Sequence, residues 1–220
     1  MIKGLIFDLD GTLIDSIGDI HYSVNLAIKD YGYEEVSYDF VKKNTGRGFR
    51  ILIQDCLPQI KDDKLIDEIT STYSKYYGEH YNEKTVAYDG VHETLRKLQS
   101  LNIKLAVNSN KKDEYTKQLM KKIFPDINFV SVYGERKGIK NKPDSSTAIE
   151  IVGDMGLKKE EVLYVGDSEV DIKTAKNGGL SSIGCKWGFR GEETLKNEGA
   201  TYIIDRPSEI IDIVGGNYNG

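Results

Sequence analysis

The 220-residue chain has few of the residues that staple small secreted domains or bind zinc. Its two cysteines, Cys56 and Cys185, lie in unrelated segments, so we expect free thiols in a reducing cytoplasm and no disulfide. The three histidines are scattered, and no histidine or cysteine group has the spacing of zinc ligands. A Ser-His-Asp catalytic arrangement is equally unsupported. These absences argue against a disulfide scaffold, a zinc protein and a serine hydrolase.

The chain also lacks a long apolar run and an excess of positive charge. No run approaches the roughly 20 residues that span a bilayer, so we expect no membrane segment, no signal peptide and a cytoplasmic location. The formal net charge of −5 argues against nucleic acid or an anionic membrane as a partner. Charged residues make up 30% and hydrophobic residues 39%, the balance of a globular protein. For the oligomeric state, we expect a monomer or homodimer.

Five short hydrophobic segments predict the strands of a sheet. They are residues 4–9, 103–108, 161–165, 182–186 and 201–204. Apolar residues at helical spacing lie between the later segments, so strand and helix alternate there. This alternation is typical of an α/β fold, and we predict a Rossmann-like parallel sheet with helices on both faces.

The first two predicted strands break this rhythm, because the chain between them carries helical patterns and no clear strand. One such pattern follows Ser16, a candidate N-cap, and would end at Gly32. We expect the tyrosines of residues 65–77 to pack in a small helical bundle. The predicted organisation is therefore a core domain of residues 1–14 plus 86–220, with a helical domain of residues 15–85 inserted. The tail, residues 215–220, is expected to fray.

Asp8 and Asp10 end the first predicted strand. Because side chains alternate along a strand, both point to one side at its carboxyl end, the edge where open α/β sheets bind ligands. Two carboxylates this close repel each other unless a cation or a shared proton compensates. The Asp-x-Asp-Gly run can also be only a turn. A calcium loop is excluded, because apolar residues follow where its further oxygen ligands would stand.

Three further segments carry polar groups past predicted strands or at the starts of predicted helices. They are Ser109-Asn110-Lys111, Lys142-Pro143-Asp144, and Gly166-Asp167-Ser168 with Asp171. Each has a structural alternative: a helix cap at Ser109, a solvated charge at Lys142, and an acidic helix turn at Asp167 and Asp171. Taken with Asp8 and Asp10, the set is typical of a site for Mg²⁺ and a phosphoryl group, since Mg²⁺ binds few carboxylates plus water and substrate phosphate.

These four segments, in this order, resemble the motifs of the haloacid dehalogenase-like phosphohydrolases, and the pattern covers nearly the whole chain. Four further segments resemble the phosphoglycolate phosphatase-like branch, whose helical insertion is a cap domain. They are Ile17-Gly18-Asp19-Ile20, Gly46-Arg47-Gly48, Asp89-Gly90-Val91 and Trp187-Gly188. The resemblance implies a Mg²⁺-dependent phosphomonoester hydrolase that acts on a small phosphorylated metabolite.

The resemblance also implies a role for each matching carboxylate. Asp8 would attack phosphorus and form an aspartyl-phosphate, while Asp10 would protonate the leaving oxygen and then activate water. Mg²⁺ would be held by the Asp8 carboxylate, the backbone carbonyl of Asp10 and Asp167. Asp171 would support the ion directly or through water.

For the phosphoryl oxygens, the resemblance implies Ser109, the amide of Asn110 and Lys142 as partners. Arg47 lies in a loop bracketed by glycines that could close over the site and meet a substrate anion, with Arg50 as a second candidate. The alternative for Arg47 is a solvated loop residue.

Asp10 distinguishes among the reactions of the family. Dehalogenases, phosphonatases and P-type ATPases generally lack this carboxylate, so its presence indicates a phosphatase or a phosphomutase. Capped sugar phosphomutases tend to have Glu-Asp where this chain has Gly166-Asp167, which favours a phosphatase. We expect 2-phosphoglycolate as the substrate, with pyrophosphate, a nucleoside monophosphate or a sugar phosphate as alternatives. A β-phosphoglucomutase-like phosphomutase and a non-catalytic binding module on the same fold are the other possibilities.

Overall fold

Six parallel strands form the central sheet of the computed structural model, which describes residues 1–216. In chain order, all strands are Gly4–Phe7 (β1), Ile14–Asp15 (β2), Val86–Ala87 (β3), Lys104–Lys112 (β4), Phe129–Glu135 (β5), Val162–Gly166 (β6), Ser181–Cys185 (β7) and Tyr202–Ile204 (β8). The order across the sheet is β5-β4-β1-β6-β7-β8. The first strand therefore lies at the centre, where Phe7 pairs with Val107 on one side and Val165 on the other.

Helices cover both faces of this sheet. The helices are Ile17–Asp30 (α1), Tyr38–Asn44 (α2), Phe49–Cys56 (α3), Asp63–His80 (α4), Val91–Ser100 (α5), Asp113–Ile123 (α6), Ser146–Asp154 (α7), Glu169–Gly178 (α8), Gly191–Asn197 (α9) and Glu209–Gly215 (α10). Because side chains alternate along β1, Phe7 packs in a cluster with residues of α5, α6 and α10, whereas Ile6 packs with α7 and α8. The predicted α/β fold with a parallel sheet is confirmed.

A separate hydrophobic cluster holds α1, α2, α3 and α4 together, with Ile28, Ile53 and Tyr73 fully buried in it. The chain crosses between this helical layer and the sheet twice, and the two crossings pair as the short antiparallel strands β2 and β3. The buried carboxylate of Asp19 binds the second crossing, accepting hydrogen bonds from the amides of Lys84 and Thr85 and from the Thr85 hydroxyl. Both crossings are thereby fixed to one another.

The five predicted strands are all present, but the sheet has a sixth that the sequence did not reveal. This is β5, an edge strand in which only Ser131 and Gly134 are buried. An edge strand that buries a hydroxyl and a glycine carries no continuous apolar run, so hydrophobicity did not detect it. β4 also runs to Lys112, four residues beyond its predicted end. The site residues Ser109 and Asn110 therefore lie within the strand.

Cys56 and Cys185 are buried free thiols, as predicted. None of the helices within residues 1–216 is both long and apolar enough to cross a membrane. The cytoplasmic location and the oligomeric state stay predictions. Gly215 ends α10, and the part of the predicted frayed tail beyond Gly216 lies outside the described residues.

Candidate active site

Three buried carboxylates converge at the carboxyl edge of the sheet. Asp8 follows β1, Asp167 follows β6, and Asp171 lies in the first turn of α8; one oxygen of each lies within 4.8 Å of the others. Asp171 is also part of a capping box, since its Oδ2 accepts hydrogen bonds from the amide and hydroxyl of Ser168. Asp171 therefore lies in an acidic helix turn, as the structural alternative predicted, and in the carboxylate cluster as well.

Lys142 bridges two of these carboxylates. Its Nζ lies 2.7 Å from Oδ1 of Asp8 and 2.7 Å from Oδ1 of Asp171, and the side chain is buried. Burial alone would lower the pKa of Lys142, but the charges of Asp171 and Asp8 outweigh it and raise the pKa well above its usual value. Lys142 is thus a fixed cation within the cluster and not a solvated surface charge.

Asp167 is enclosed by two backbone segments. Its Oδ1 accepts from Thr12 Oγ1 at 3.2 Å and its Oδ2 from the amide of Phe189 at 2.7 Å. A Cβ at Gly11 would lie 2.5 Å from Asp167 Oδ2, and one at Gly188 would lie 2.2 Å from Asp167 Cβ. Any larger residue at either position would collide with Asp167, so both positions require glycine.

The carboxylate cluster is short of positive charge. Burial and the charge of Asp171 raise the pKa of Asp167 to about 7, and burial together with Asp171 raises the pKa of Asp8 despite Lys142. A divalent cation would relieve this repulsion, and a set of oxygen donors without nitrogen or sulfur is what Mg²⁺ prefers. The three carboxylates therefore fit a magnesium ion.

The side chain of Asp10 contacts residues outside this cluster. Its Oδ1 accepts a hydrogen bond from Ser16 Oγ at 2.5 Å and lies 3.0 Å from Nζ of Lys111. Ser16 stands at the N-cap position of α1, as predicted, but its hydroxyl donates to Asp10 and accepts from no helix amide. Asp10 is thus held by a core lysine and by the start of the helical layer.

Ser109 and Asn110 face the same edge from β4. Ser109 is not a helix cap, because α6 begins only at Asp113 and the Ser109 hydroxyl accepts from the amide of Lys111. The side chain of Asn110 accepts from the Lys142 amide at 2.8 Å and donates to the carbonyls of Lys142 and Gly46. The Asn110 side chain therefore positions Lys142 and links the sheet to the helical layer.

A cavity of about 380 Å³ separates this edge from the helical layer. Asp8, Asp10, Ser109, Asn110 and Lys111 line it on the sheet side. The opposite wall is largely apolar and includes Phe49, Leu52 and Tyr73. The cavity therefore places charged and polar groups of the sheet edge opposite apolar side chains of the helical layer.

The structure does not bring Arg47 or Arg50 to this cavity. The Arg47 guanidinium pairs with Asp55 at 2.5 Å, and Arg50 pairs with Asp63 and Asp67 on the surface. The basic residue that lines the cavity is Lys111, which the sequence motif contained but to which it assigned no role.

Arg190 is a further residue that sequence reasoning missed. It follows β7, and its guanidinium donates to the carbonyls of Lys42 and Thr45 at the end of α2 and to Glu169. A cation at a helix C-terminus is favourable because the last carbonyls lack helical partners. No motif in the sequence singles out this arginine, because two of its three partners are backbone carbonyls of a distant segment.

The comparisons with known proteins agree with this geometry. Residues 5–185 match the family described as haloacid dehalogenase-like hydrolase. A phosphoglycolate phosphatase of Aquifex aeolicus is 31% identical over 97% of both chains, and one of Vibrio parahaemolyticus is 29% identical over 97% of this chain and 96% of its own. The crystal structure of a predicted phosphoglycolate phosphatase from Haemophilus somnus superimposes with a TM-score of 0.88 at 27% identity, covering 96% of this chain and 97% of that chain.

The chain therefore belongs to the haloacid dehalogenase-like hydrolases. Within that family it is a phosphatase of the phosphoglycolate phosphatase-like branch, as the sequence motifs predicted.

Proposed function

We propose that this phosphatase is a Mg²⁺-dependent phosphomonoester hydrolase that forms an aspartyl-phosphate on Asp8, with 2-phosphoglycolate as its leading substrate. The observation that carries the proposal is the position of Lys142, whose Nζ lies 2.7 Å from Asp8 inside the carboxylate cluster. A fixed cation beside the carboxylate suits attack on a negatively charged phosphoryl group, because it offsets charge on both reactants.

The carboxylates have different roles in this proposal. Asp8 attacks phosphorus in line, and Asp10 protonates the leaving oxygen and later takes a proton from the hydrolytic water. The Asp8 carboxylate, the Asp10 backbone carbonyl and Asp167 would hold Mg²⁺, and Asp171 would support it directly or through water. When bound, the ion would offset the negative charge of the cluster and of the phosphoryl group.

The phosphoryl oxygens are held by Ser109, the backbone amide of Asn110 and Lys142. Support comes from the burial of all three residues at the sheet edge and from the two hydrogen bonds that fix Lys142 to Asn110. Donors fixed before the reaction stabilise developing charge without a cost of reorganisation.

Residues 15–85 act in this proposal as a cap over a core of residues 1–14 plus 86–220. The separate hydrophobic cluster of α1–α4 and the paired crossings β2 and β3 support this division. The bonds from Asn110 to Gly46 and from Arg190 to Thr45 connect the two parts beside the cavity. A closed cap excludes water and strengthens the electrostatic interactions inside.

The substrate proposal is supported by relatives that bear the name phosphoglycolate phosphatase. A panel of phosphate esters tests it: 2-phosphoglycolate, pyrophosphate, nucleoside monophosphates and sugar phosphates, each with Mg²⁺ or with a chelator. We expect phosphate release only with Mg²⁺ and the highest kcat/KM for 2-phosphoglycolate. Sugar-phosphate isomers that interconvert without free phosphate would indicate a phosphomutase instead.

A substitution at the nucleophile completes this test. Asp8→Asn removes the attacking oxygen anion and should abolish turnover of every ester in the panel. Asp126→Asn is the matched control, because Asp126 is a surface carboxylate that pairs with Arg96 and does not line the cavity. An Asp8→Asn protein with full activity would overturn the proposed mechanism.

A further inference from the structure

Tyr73, one of the residues that line the cavity, has an unsatisfied hydroxyl. The residue is fully buried, lines the cavity from α4, and its Oη has no hydrogen-bond partner among the described residues. Buried hydroxyls in native proteins are nearly always hydrogen-bonded, and leaving one without a partner is unfavourable. An unpartnered hydroxyl at a ligand cavity therefore points to a group that the ligand supplies.

Lys111 has one donor to spare beside it. An ammonium carries three N–H donors, and two of them are used by Tyr77 Oη at 2.5 Å and Asp10 Oδ1 at 3.0 Å. The side chain is completely buried, and within residues 1–216 Lys111 is the single basic residue that lines the cavity. Its third donor is available to an acceptor inside the cavity.

These two groups share one aromatic environment. The Lys111 Nζ lies 4.5 Å from the ring centroid of Tyr77, and the Tyr73 and Tyr77 rings are 5.7 Å apart. The remaining wall at this end is apolar, with the Phe49 ring 4.6 Å from that of Tyr73. Such surroundings strengthen a charged hydrogen bond because they exclude water.

The N-terminus of α3 adds positive potential at the same end. Gly48 and Phe49 both line the cavity, and no side chain caps this helix start. The first amides of a helix lack helical acceptors, and the helix dipole favours an anion there.

We propose that Lys111 and Tyr73 bind a second anionic group of the substrate, a carboxylate, at the cap side of the cavity. The inference rests on the proposed hydrolase function and narrows its substrate class to compact phosphorylated carboxylic acids. One carboxylate oxygen accepts from the ammonium and the other from the phenol, which uses both free donors. A neutral tail would leave both donors unpaired.

Binding measurements test this inference separately from turnover. In the Asp8→Asn background with Mg²⁺, calorimetry compares 2-phosphoglycolate with ethyl phosphate, which has the same length but no carboxylate. Adding Lys111→Met should raise the Kd for 2-phosphoglycolate about 10- to 100-fold, the usual effect of a charged hydrogen bond, and leave the Kd for ethyl phosphate nearly unchanged. Adding Tyr73→Phe should raise the first Kd about 2- to 10-fold and again spare the second.

Matched controls separate this role from a structural one. Lys112→Met changes the neighbouring lysine, which binds Ser74 and does not line the cavity, and Tyr76→Phe removes a surface hydroxyl bound to Asp30. Both should leave the binding of both ligands unchanged. Tyr73→Phe should not lower the thermal midpoint of the free protein, because its hydroxyl has no partner to lose. That variant keeps the test valid even where Lys111→Met fails to fold.

Equal loss of both ligands in Lys111→Met would overturn the inference and leave Lys111 as a residue that only positions Asp10. Equal affinity of the Asp8→Asn protein for the two esters would overturn it as well. Selective binding of 2-phosphoglycolate, lost in Lys111→Met and Tyr73→Phe, supports it. If such binding occurs while the unsubstituted protein hydrolyses neither ester, the hydrolase proposal fails and the carboxylate site stands.

Discussion

Asn110 and Lys142 are joined by two hydrogen bonds between the Asn110 side chain and the Lys142 backbone. The Lys142 amide donates to Asn110 Oδ1 at 2.8 Å, and Asn110 Nδ2 donates to the Lys142 carbonyl at 3.1 Å. The pair connects the end of β4 to the loop before α7, so the ammonium of Lys142 is directed at Asp8 from a fixed backbone. The position of this cation depends on an amide 32 residues away in the sequence.

Replacing Asn110 with alanine should therefore act through Lys142. Asn110→Ala removes both bonds, and we expect kcat to fall about 100-fold, since a misplacement of about 1 Å at a reacting centre has an effect of that size. Steady-state kinetics with the ester of the panel that has the highest kcat/KM provide the measurement. Asn177→Ala is the control, because Asn177 holds the same loop through the Pro143 carbonyl but from the surface. Equal losses in the two variants would count against a specific role for Asn110.

The pKa of Asp167 predicts how the metal-free protein responds to pH. The pKa is raised to about 7 by burial and by Asp171, so the folded state binds a proton that the unfolded state has already lost above pH ~4. The free energy of unfolding should therefore fall as the pH rises from about 4 to 7, by about 4 kcal/mol for this group at most. Urea unfolding in chelator, compared with Asp167→Asn, measures the difference. A difference that is constant across this pH range would contradict the prediction.

Bound Mg²⁺ should offset this loss of unfolding free energy at higher pH. An ion that binds the ionised carboxylates of the folded state stabilises it by about 2.7 kcal/mol at a concentration 100 times its Kd. We expect Mg²⁺ to raise the unfolding midpoint of the unsubstituted protein most at pH above 7, and to leave that of Asp167→Asn nearly unchanged. An unfolding midpoint that Mg²⁺ does not change at any pH would argue against a metal site in the carboxylate cluster.

Asp19 should matter for stability more than for chemistry. Its buried carboxylate receives hydrogen bonds from Lys84 and Thr85 and so ties α1 to the second crossing. Asp19→Ala leaves those donors without partners, and we expect about 2–4 kcal/mol of lost unfolding free energy. Asp30→Ala, which removes only a surface bond to Tyr76, should cost less than about 1 kcal/mol. An Asp19→Ala protein as stable as the Asp30→Ala protein would refute the structural role.

Arg190 offers a test of closure between the helical layer and the sheet. Its bonds to the carbonyls of Lys42 and Thr45 exist only when the two parts are in contact. Arg190→Met should therefore raise KM about 10-fold with a smaller change in kcat, because the closed state becomes less populated. Arg136→Met is the control, since Arg136 pairs with Glu150 away from the cavity lining. A selective loss of kcat in Arg190→Met would point to a different role.

The sequence revealed those parts of the site that follow from strand order. Asp8 and Asp167 each follow a buried strand, and parallel strands end at a common edge, so their convergence could be predicted. Lys111 could not be assigned in this way, because its direction depends on Asp10 and on Tyr77 from another layer. Arg47 was a candidate for the site that the structure does not bring to the cavity. It pairs with Asp55, a local contact that could not be predicted from the composition of its loop.

The strands of the fold likewise differ in how far the sequence predicts them. Central strands such as β1 and β6 are buried on both faces and therefore have continuous apolar sequences. The edge strand β5 is half exposed, and its pairing with β4 decides its conformation more than its composition does. Hydrophobic patterns thus revealed the central strands and the short edge strand β8, but they missed the edge strand β5, which pairing with β4 holds in place.

The most direct test of the central claim is to locate the phosphoryl group during turnover. A single turnover of 2-phosphoglycolate labelled at phosphorus, quenched in acid and followed by peptide mapping, reports which side chain carries the label. The proposed mechanism predicts a labelled peptide that contains Asp8, formed only with Mg²⁺ and absent from Asp8→Asn. A label on any other residue, or full hydrolysis by Asp8→Asn, would contradict it.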